Sequence, residues 1–368
     1  MRLMLLPSRL TYILIASVIL TCSKANAGLY GFTSANPYTQ EERILNLETA
    51  PKHIINYRDA LRNNIIMLSR YAKGQNPNFE IIVHDGRELM KKSLWEYHQE
   101  GYNNARKQGI NAADPSFLAK LKDMKPEEET VGTNANSYMK HIDAVVFNNY
   151  FCGEKNFPPI KRLKLISIDN CPQEEDFDEA IQESVGSNAL MYGFTNHQYA
   201  FKDVYHQTII NENARNINNI NEAENILFLL DTSLYPDRFA YLQDIRNSNF
   251  DIIIISPFYQ GKPLTKEEVH SLKFKKNGTQ RRVVAALNIT ETDDNKYYWK
   301  TGWKIGSPEW LKRLSFVDPQ GIIVEYWHKD WQKILSNYFK GIVDSGFDGA
   351  FLTGLENHFY FEKQTPLE

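Results

Sequence analysis

Apolar runs of strand length alternate with helical patterns along much of the chain. Residues 250–255 form a β-branched run, which predicts a strand buried on both faces. Between 331 and 343, apolar residues recur every three or four positions, which predicts an amphipathic helix capped by Asp330. A second helix is predicted from Thr265, where Glu268 completes a capping box. Strands and helices that alternate in this way predict a parallel sheet with right-handed crossovers.

Three runs in the last third of the chain change abruptly from apolar to polar residues. They are RVVAALNITETDDNKYYW at 282–299, IIVEYWHKDW at 322–331 and GFDGAFLTGLE at 346–356. A parallel strand shows this change from apolar to polar residues when its C-terminal end opens onto a pocket. Acids beside Trp and Tyr indicate a carbohydrate cleft, because carboxyl groups transfer protons and flat rings pack against sugar faces.

The same runs carry a family resemblance. LNITETDDNKYYW, VEYWHKDW and GFDGAFLTGLEN resemble motifs of the endo-α-1,4-polygalactosaminidase type of glycoside hydrolase, family one hundred and fourteen. Members of that family read like YLSIGEAEDYRFYW, VKYWD-x-x-W and GFDGVYLD-x-x-DAY. The resemblance covers about 225–361 and implies a TIM barrel that acts on an amino-sugar polymer.

The first half of the chain resembles the C-terminal half of the same family. The matching segments are 57–86, 141–153 and 163–170. The order of the halves is swapped, so we expect a (β/α)8 TIM barrel that is circularly permuted relative to the family. The alternative is two truncated halves, each of which would leave open sheet edges.

The expected domain organisation follows from this resemblance. A single barrel is expected over 51–368, with 51–205 and 225–362 as its two halves. The Asn-rich segment 211–225 is expected to be the linker that joins the permuted ends.

The N-terminus has the pattern of a secretory signal. Residues 1–27 carry Arg2 and Arg9, then a short apolar run, then a small-x-small cleavage site ending at Ala27. We therefore expect a secreted or periplasmic protein, with an extended lead-in over 28–50. Cys22 leaves a lipoprotein as the alternative.

Composition excludes several other classes. The chain has 368 residues, with 42% hydrophobic and 24% charged residues, as is typical of a globular protein. The formal charge of −3 becomes −6 when the signal, with three cations and no acid, is removed. Nucleic acid is therefore not an expected partner. We expect no further membrane span, no metal and no organic cofactor, and we expect a polysaccharide or oligosaccharide as the partner.

Two cysteines remain after the signal. By the resemblance, Cys152 and Cys171 follow neighbouring barrel strands near the C-terminal rim. Adjacent strands lie about 4.8 Å apart, within disulfide reach, so a disulfide is expected in an oxidising compartment. Two buried thiols are the alternative.

The acids that the family uses are replaced in this chain. Thr353 stands at the family's Asp, Asn148 at its Glu, and Ser256 at a further Asp. Neither threonine nor asparagine can donate a proton as a carboxyl group does. The barrel could therefore bind a sugar without cleaving it.

Other acids remain near the predicted strand ends. Glu291 and Glu356 are the expected catalytic pair, and Asp169 would orient one of them or hold a sugar hydroxyl. Glycoside hydrolysis needs two such carboxyl groups beside the scissile bond. The alternative is that these acids only stabilise the rim. The expected substrate-binding residues are Asp85, Asn148, Asp293, Tyr298, Trp299, Tyr326, Trp327 and Thr353.

Two functions remain open at this point. One is a glycoside hydrolase of the polygalactosaminidase type with rearranged acids. The other is a catalytically inactive barrel that binds polysaccharide or a protein partner. Both use the same fold, so the fold does not choose between them.

Overall fold

The computed structural model describes residues 51–112, 114–124, 133–153, 160, 162–195, 200–205, 207 and 209–367. The expected signal 1–27 and lead-in 28–50 lie outside the described residues. Of the helices that the structure describes, none is long and apolar enough to cross a membrane.

Thirteen strands and nine α-helices are formed by the described residues. The strands are β1 (Glu80–His84), β2 (Ala144–Asn148), β3 (Lys164–Asn170), β4 (Leu190–Phe194), β5 (Ile226–Leu229), β6 (Ile252–Ile255), β7 (Phe258–Tyr259), β8 (Lys262–Pro263), β9 (Arg282–Asn288), β10 (Glu291–Thr292), β11 (Leu311–Leu314), β12 (Ile322–Val324) and β13 (Gly349–Thr353). The helices are α1 (Tyr57–Gln75), α2 (Leu94–Lys107), α3 (Pro115–Asp123), α4 (Thr133–His141), α5 (Glu174–Gly186), α6 (Arg238–Arg246), α7 (Lys266–Leu272), α8 (Lys329–Asp344) and α9 (His358–Glu362).

Eight of the strands form one parallel, nearly closed, barrel-shaped sheet. Its strand order is β4-β3-β2-β1-β13-β9-β6-β5. The first and last strands that the structure describes are therefore neighbours, and Glu80 pairs with Gly349 in the ladder between them. Where the two ends of this sheet meet, the rings of Tyr192 and Phe228 pack 5.4 Å apart. The architecture is compatible with the expected TIM-like barrel.

Aromatic side chains fill the inside of the barrel. Phe228 of β5 and Phe351 of β13 contact each other at 5.4 Å, although two strands separate them in the sheet. That contact crosses the interior, so it identifies the inward face of each strand. His84 packs edge-on against Phe351 at 5.8 Å and therefore lies on the same inward face, at the C-terminal end of β1.

Helix α8 packs its apolar face onto the sheet, as the spacing predicts. Trp331, Leu335 and Phe339 are buried along it. The prediction that Asp330 caps this helix was wrong, because the helix begins at Lys329 and the ring of His328 accepts the N–H of Asp330 at 3.2 Å. The capping box at the start of α7 is confirmed, with Thr265 and Glu268 bonded reciprocally.

One of the three apolar-to-polar runs does not form a strand of the barrel. Ile322–Val324 forms β12, which lies between β10 and β11 in a separate antiparallel sheet of three strands. Its apolar stretch is only three residues long, and the preceding β11 is close enough along the chain to pair with it as a hairpin. The expectation of a parallel strand was therefore wrong for this run, and correct for β9 and β13.

The Asn-rich segment before β5 is bonded to the N-terminal end of the barrel. The side-chain amide of Asn213 donates to Asp251 at 2.9 Å, and the N–H of Ile217 donates to Gln280 O at 3.0 Å. Asp251 also pairs with Lys275, and both of these side chains are 0% exposed. The segment therefore caps the base of the barrel, in addition to connecting β4 with β5.

Candidate functional site

The inward positions at the C-terminal rim carry neutral polar groups and one imidazole. His84 Nε2 lies 3.1 Å from Asn148 Oδ1, across β1 and β2. Thr353 pairs in register with Asn288, between β13 and β9. These four positions include the two at which the family resemblance would place acids. Any carboxyl chemistry at this rim must come from the segments that follow the strands.

Glu291 lies three residues beyond β9 and is 6% exposed. Its Oε1 accepts hydrogen bonds from Ser315 Oγ at 2.7 Å and Asn357 Nδ2 at 2.9 Å. Its Oε2 accepts from Asn288 Nδ2 at 2.9 Å. Burial raises the pKa of Glu291 to about 7 against the bonds from Asn357 and Ser315, and the negative charge of Glu356 adds to the rise. Glu291 is thus a buried carboxyl group held in one orientation.

Local backbone geometry fixes this orientation. Asn288 Oδ1 accepts the N–H groups of Thr290 and Glu291, each at 3.0 Å, so its amide nitrogen must point toward the carboxylate. Gly354 has φ +85°, and a Cβ added there would lie 2.3 Å from Thr290 Oγ1. Only glycine allows the tails of β9 and β13 to approach so closely.

Glu356 lies beside Glu291, in a 3₁₀ helix over Leu355–Asn357 that follows β13. It is partly exposed, and the next residue, Asn357, donates to Glu291. Burial raises the pKa of Glu356 to about 7, the bond from its own backbone N–H opposes the rise, and the charges of Asp85 and Glu88 add to it. The structure therefore brings together the two acids that the sequence predicts as a pair.

Asp85 supplies a third carboxyl group at this part of the rim. It follows β1 with φ +57°, and its Oδ1 accepts from Arg87 Nε at 2.9 Å. Gly86, at φ +77°, lies so close to Leu355 that an added Cβ would be 2.6 Å from Leu355 Cδ2. This close approach holds Asp85 near Glu356, and the site therefore spans the ends of β9, β13 and β1.

Asp169 is directed at the neighbouring loop. Its Oδ1 accepts the backbone N–H groups of Phe151 at 2.8 Å and Cys152 at 2.9 Å. Burial raises its pKa despite these bonds. Cys152 is joined to Cys171 by a disulfide, with 5.3 Å between the Cα atoms. The observed contacts of Asp169 therefore position the disulfide-bonded loop.

The predicted sugar-binding aromatics differ in their exposure. Tyr326, which the sequence analysis expects to contact ligand, is 0% exposed in this structure, and its hydroxyl donates to Tyr57 O at 3.1 Å. Its ring fills space under the rim, against Phe361 at 5.6 Å. Trp327 is partly exposed and packs edge-on to Phe361 at 4.5 Å.

The aromatic residues after β10 form a connected cluster. Tyr298 Oη lies 2.9 Å from Thr292 Oγ1, and burial raises the pKa of its hydroxyl. Trp299 packs edge-on to Trp303 at 5.5 Å. Tyr297, which the sequence analysis did not select, is the most exposed ring of this group at 58%. An alternation of apolar and polar residues does not reveal which of three consecutive aromatics faces solvent.

Asp293 is engaged in an ion pair. Its Oδ2 lies 2.8 Å from Lys296 Nζ, and its Oδ1 accepts the N–H of Asn295 at 2.9 Å. The hydrogen-bond donors around Glu291, namely Asn288, Ser315 and Asn357, were also missed by the sequence analysis. Their signal in the sequence is weak, since polar residues flanking an acid are common in loops.

The acids at the rim are not arranged as ligands of a metal. Within the part of the chain that the structure describes, no group of three or more His, Cys, Asp and Glu side chains could hold an ion. The carboxyl groups at this site are able to transfer protons and to accept hydrogen bonds.

No family model matches this chain. Curated relatives include the "Uncharacterized protein MJ1477" of Methanocaldococcus jannaschii, which is 32% identical over 152 residues, covering 40% of this chain and 42% of the relative. A protein of Thermotoga maritima is 28% identical over 134 residues, covering 36% and 41%. A protein of Deinococcus radiodurans is 29% identical over 112 residues, covering 30% and 35%. This chain thus spans about two fifths of the length of the relatives it matches.

Proposed function

We propose that this protein is a secreted glycoside hydrolase that cleaves an amino-sugar polysaccharide, of the polygalactosaminidase type. The observation that carries the proposal is the proximity of the carboxyl groups of Glu356 and Asp85, which follow the neighbouring strands β13 and β1. Two carboxyl groups at the C-terminal rim of a parallel barrel are what glycoside hydrolysis requires.

In this proposal Glu356 is the general acid. It is the more exposed of the pair, and a pKa near 7 keeps a large fraction of it protonated at neutral pH. It would give its proton to the leaving glycosidic oxygen. Asp85, which lies near Glu356 and is partly exposed, would be its carboxyl partner, as base or nucleophile.

Glu291 would then act mainly by positioning. Its two oxygens already accept three hydrogen bonds from Ser315, Asn357 and Asn288, which leaves little capacity for a substrate. Because its pKa is raised to about 7, Glu291 is largely protonated at pH 6 and carries little charge beside Glu356 at that pH. This assignment revises the expected Glu291–Glu356 catalytic pair.

The swapped order of the family motifs supports a circularly permuted barrel. Pairing of β1 with β13 is compatible with this, because the permuted chain would begin and end at adjacent strands. The apolar N-terminal pattern supports secretion. The permutation and the secretory route both remain part of the proposal.

Reducing-end release from a panel of amino-sugar polysaccharides tests the proposal. We expect release from an α-1,4-linked galactosamine polymer, with a rate that falls about tenfold per pH unit above pH 7 as the general acid loses its proton. A flat rate between pH 6 and pH 9 would exclude Glu356 as the acid.

The second candidate is a barrel that binds polysaccharide without cleaving it. Thr353 and Asn148, at the positions of the family's acids, favour this function, as does the full hydrogen bonding of Glu291. Binding of the polymer by the unaltered protein, with no release at any pH, would support this candidate over hydrolysis.

A further inference from the structure

A depression opens on the rim at the ends of β5 and β6. It has a volume of about 240 Å³ and is lined by ten residues, six of which matter here: Thr232, Ser256, Gln260, Asn295, Lys296 and Tyr297. We call these six residues the hairpin subsite. Pockets for drug-sized ligands span about 300–1,000 Å³, so this volume suits a single sugar ring.

The wall of the hairpin subsite is rigid. Gln260 and Gly261 form the two-residue turn between β7 and β8, with φ +47° and +76°. Positive φ at both positions is the geometry of a tight type I′ hairpin. The exposed ring of Tyr297 stacks on Phe258 at 5.7 Å with 18° between the planes, and meets Tyr338 edge-on at 5.7 Å.

The chemistry of the hairpin subsite fits a sugar. A fixed aromatic face packs against the C–H groups of a pyranose ring. Thr232, Ser256 and Asn295 add hydroxyl and amide groups, which both donate and accept hydrogen bonds. This pairing of one flat apolar wall with neutral polar groups suits a ring that is apolar on its faces and hydroxylated at its edge.

The charge of the hairpin subsite distinguishes between amino sugars. Among the described residues that line the depression, Lys296 alone is charged, and its ammonium is turned toward Asp293 at 2.8 Å. Because the carboxylate of Asp293 is already paired with Lys296, a sugar ammonium group would find no other carboxylate among the lining residues that the structure describes. An acetamido group would instead offer a carbonyl oxygen that Lys296 or Asn295 can bind.

We propose that the hairpin subsite binds one N-acetylated sugar of the polysaccharide, at a distance along the rim from the Glu356 site. The inference rests on the proposed carbohydrate function and adds to it the modification state of the polymer. The polymer chain would run from the ends of β1 and β13, past β9, to the ends of β6 and β5, which is their order in the sheet.

Calorimetric titration with α-1,4-linked N-acetylgalactosamine hexamer, and with the same hexamer after de-N-acetylation, tests the inference. We expect the unaltered protein to bind the acetylated hexamer at least tenfold more tightly. Tyr297→Ala should weaken that binding about tenfold, and Tyr297→Phe, which keeps the stack on Phe258, should bind within twofold of the unaltered protein. Lys296→Met should reduce the preference for the acetylated form.

Phe239→Ala is the matched control, since Phe239 is 71% exposed on α6 and does not line the depression. It should bind both hexamers as the unaltered protein does. If Tyr297→Ala binds like this control, or if the free-amine hexamer binds more tightly, the inference is overturned while the carbohydrate function stands. If the unaltered protein binds neither hexamer nor any other polysaccharide, the proposed function fails and the inference fails with it.

Discussion

Replacement of Glu291 by glutamine tests how the rim stabilises a buried carboxyl group. Asn288 cannot turn its amide, because its oxygen holds two backbone N–H groups. Asn357 likewise donates from one nitrogen to both Thr290 and Glu291. The glutamine NH2 must therefore face one of these donors, whichever way it is oriented. Glu291→Gln loses one hydrogen bond and leaves a buried donor unpaired, which costs about 1–3 kcal/mol.

The pH dependence of this cost follows from the raised pKa of Glu291. Folded Glu291 titrates near pH 7 and its ordinary pKa is 4.5, so the folded state binds the extra proton between these values. The free energy of unfolding therefore falls as pH rises through this window, and one group with this shift accounts for about 2–3 kcal/mol between pH 5 and pH 8. Glutamine does not titrate, so the variant lacks this term.

Urea unfolding of both proteins at pH 5, 6, 7 and 8 measures the difference. We expect Glu291→Gln to be less stable by about 1–3 kcal/mol at pH 5, and this deficit to disappear or reverse by pH 8. Glu309→Gln, at a carboxyl group that is 84% exposed, is the control and should differ little at any pH. A deficit that stays constant or grows with pH would refute the reasoning, because it would mean that the three donors keep Glu291 ionised throughout.

Two further predictions concern stability. Cys152→Ser should lower the free energy of unfolding by about 3 kcal/mol, as expected for a closed loop of this length (sequence separation 19); an unchanged urea midpoint, with and without reductant, would contradict this. Lys275→Met leaves Asp251 charged and buried without its cation, so a loss of about 3–5 kcal/mol is expected in the same assay. The exposed neighbour Lys276→Met is its control, and equal losses in the two variants would refute the argument.

Much of the fold can be predicted from the sequence where a pattern depends on local physics. Apolar runs at β6, β9 and β13 predict buried parallel strands, and the capping box predicts the start of α7 at the correct residue. The prediction of a parallel strand in residues 322–331 was wrong because a short apolar stretch has the same sequence pattern in a barrel strand and in a hairpin strand. Its partner β11 is recognised only in three dimensions.

The candidate site was predicted less completely. Glu291 and Glu356 were selected because they follow strands, and they do lie together. The packing of loops from three strands determines the rest of the site. It sets which groups donate to Glu291, namely Asn288 and Asn357, and it buries Tyr326 and exposes Tyr297. Most of these features depend on contacts between residues far apart in the chain, or on which of several adjacent rings is exposed, and sequence spacing encodes neither. The bond from Asn288 to Glu291, three residues along the chain, is the exception.

Glu356 is the general acid of the proposed mechanism, so the replacement of this residue tests that mechanism. The measurement is reducing-end release from the galactosamine polymer at pH 6 by the unaltered protein, by Glu356→Gln and by Glu88→Gln, a matched acid whose charge acts on Glu356. We predict that Glu356→Gln loses at least about a hundredfold in rate, the contribution of a general acid, and that Glu88→Gln stays within about threefold. Release by Glu356→Gln at the rate of the unaltered protein would contradict the account.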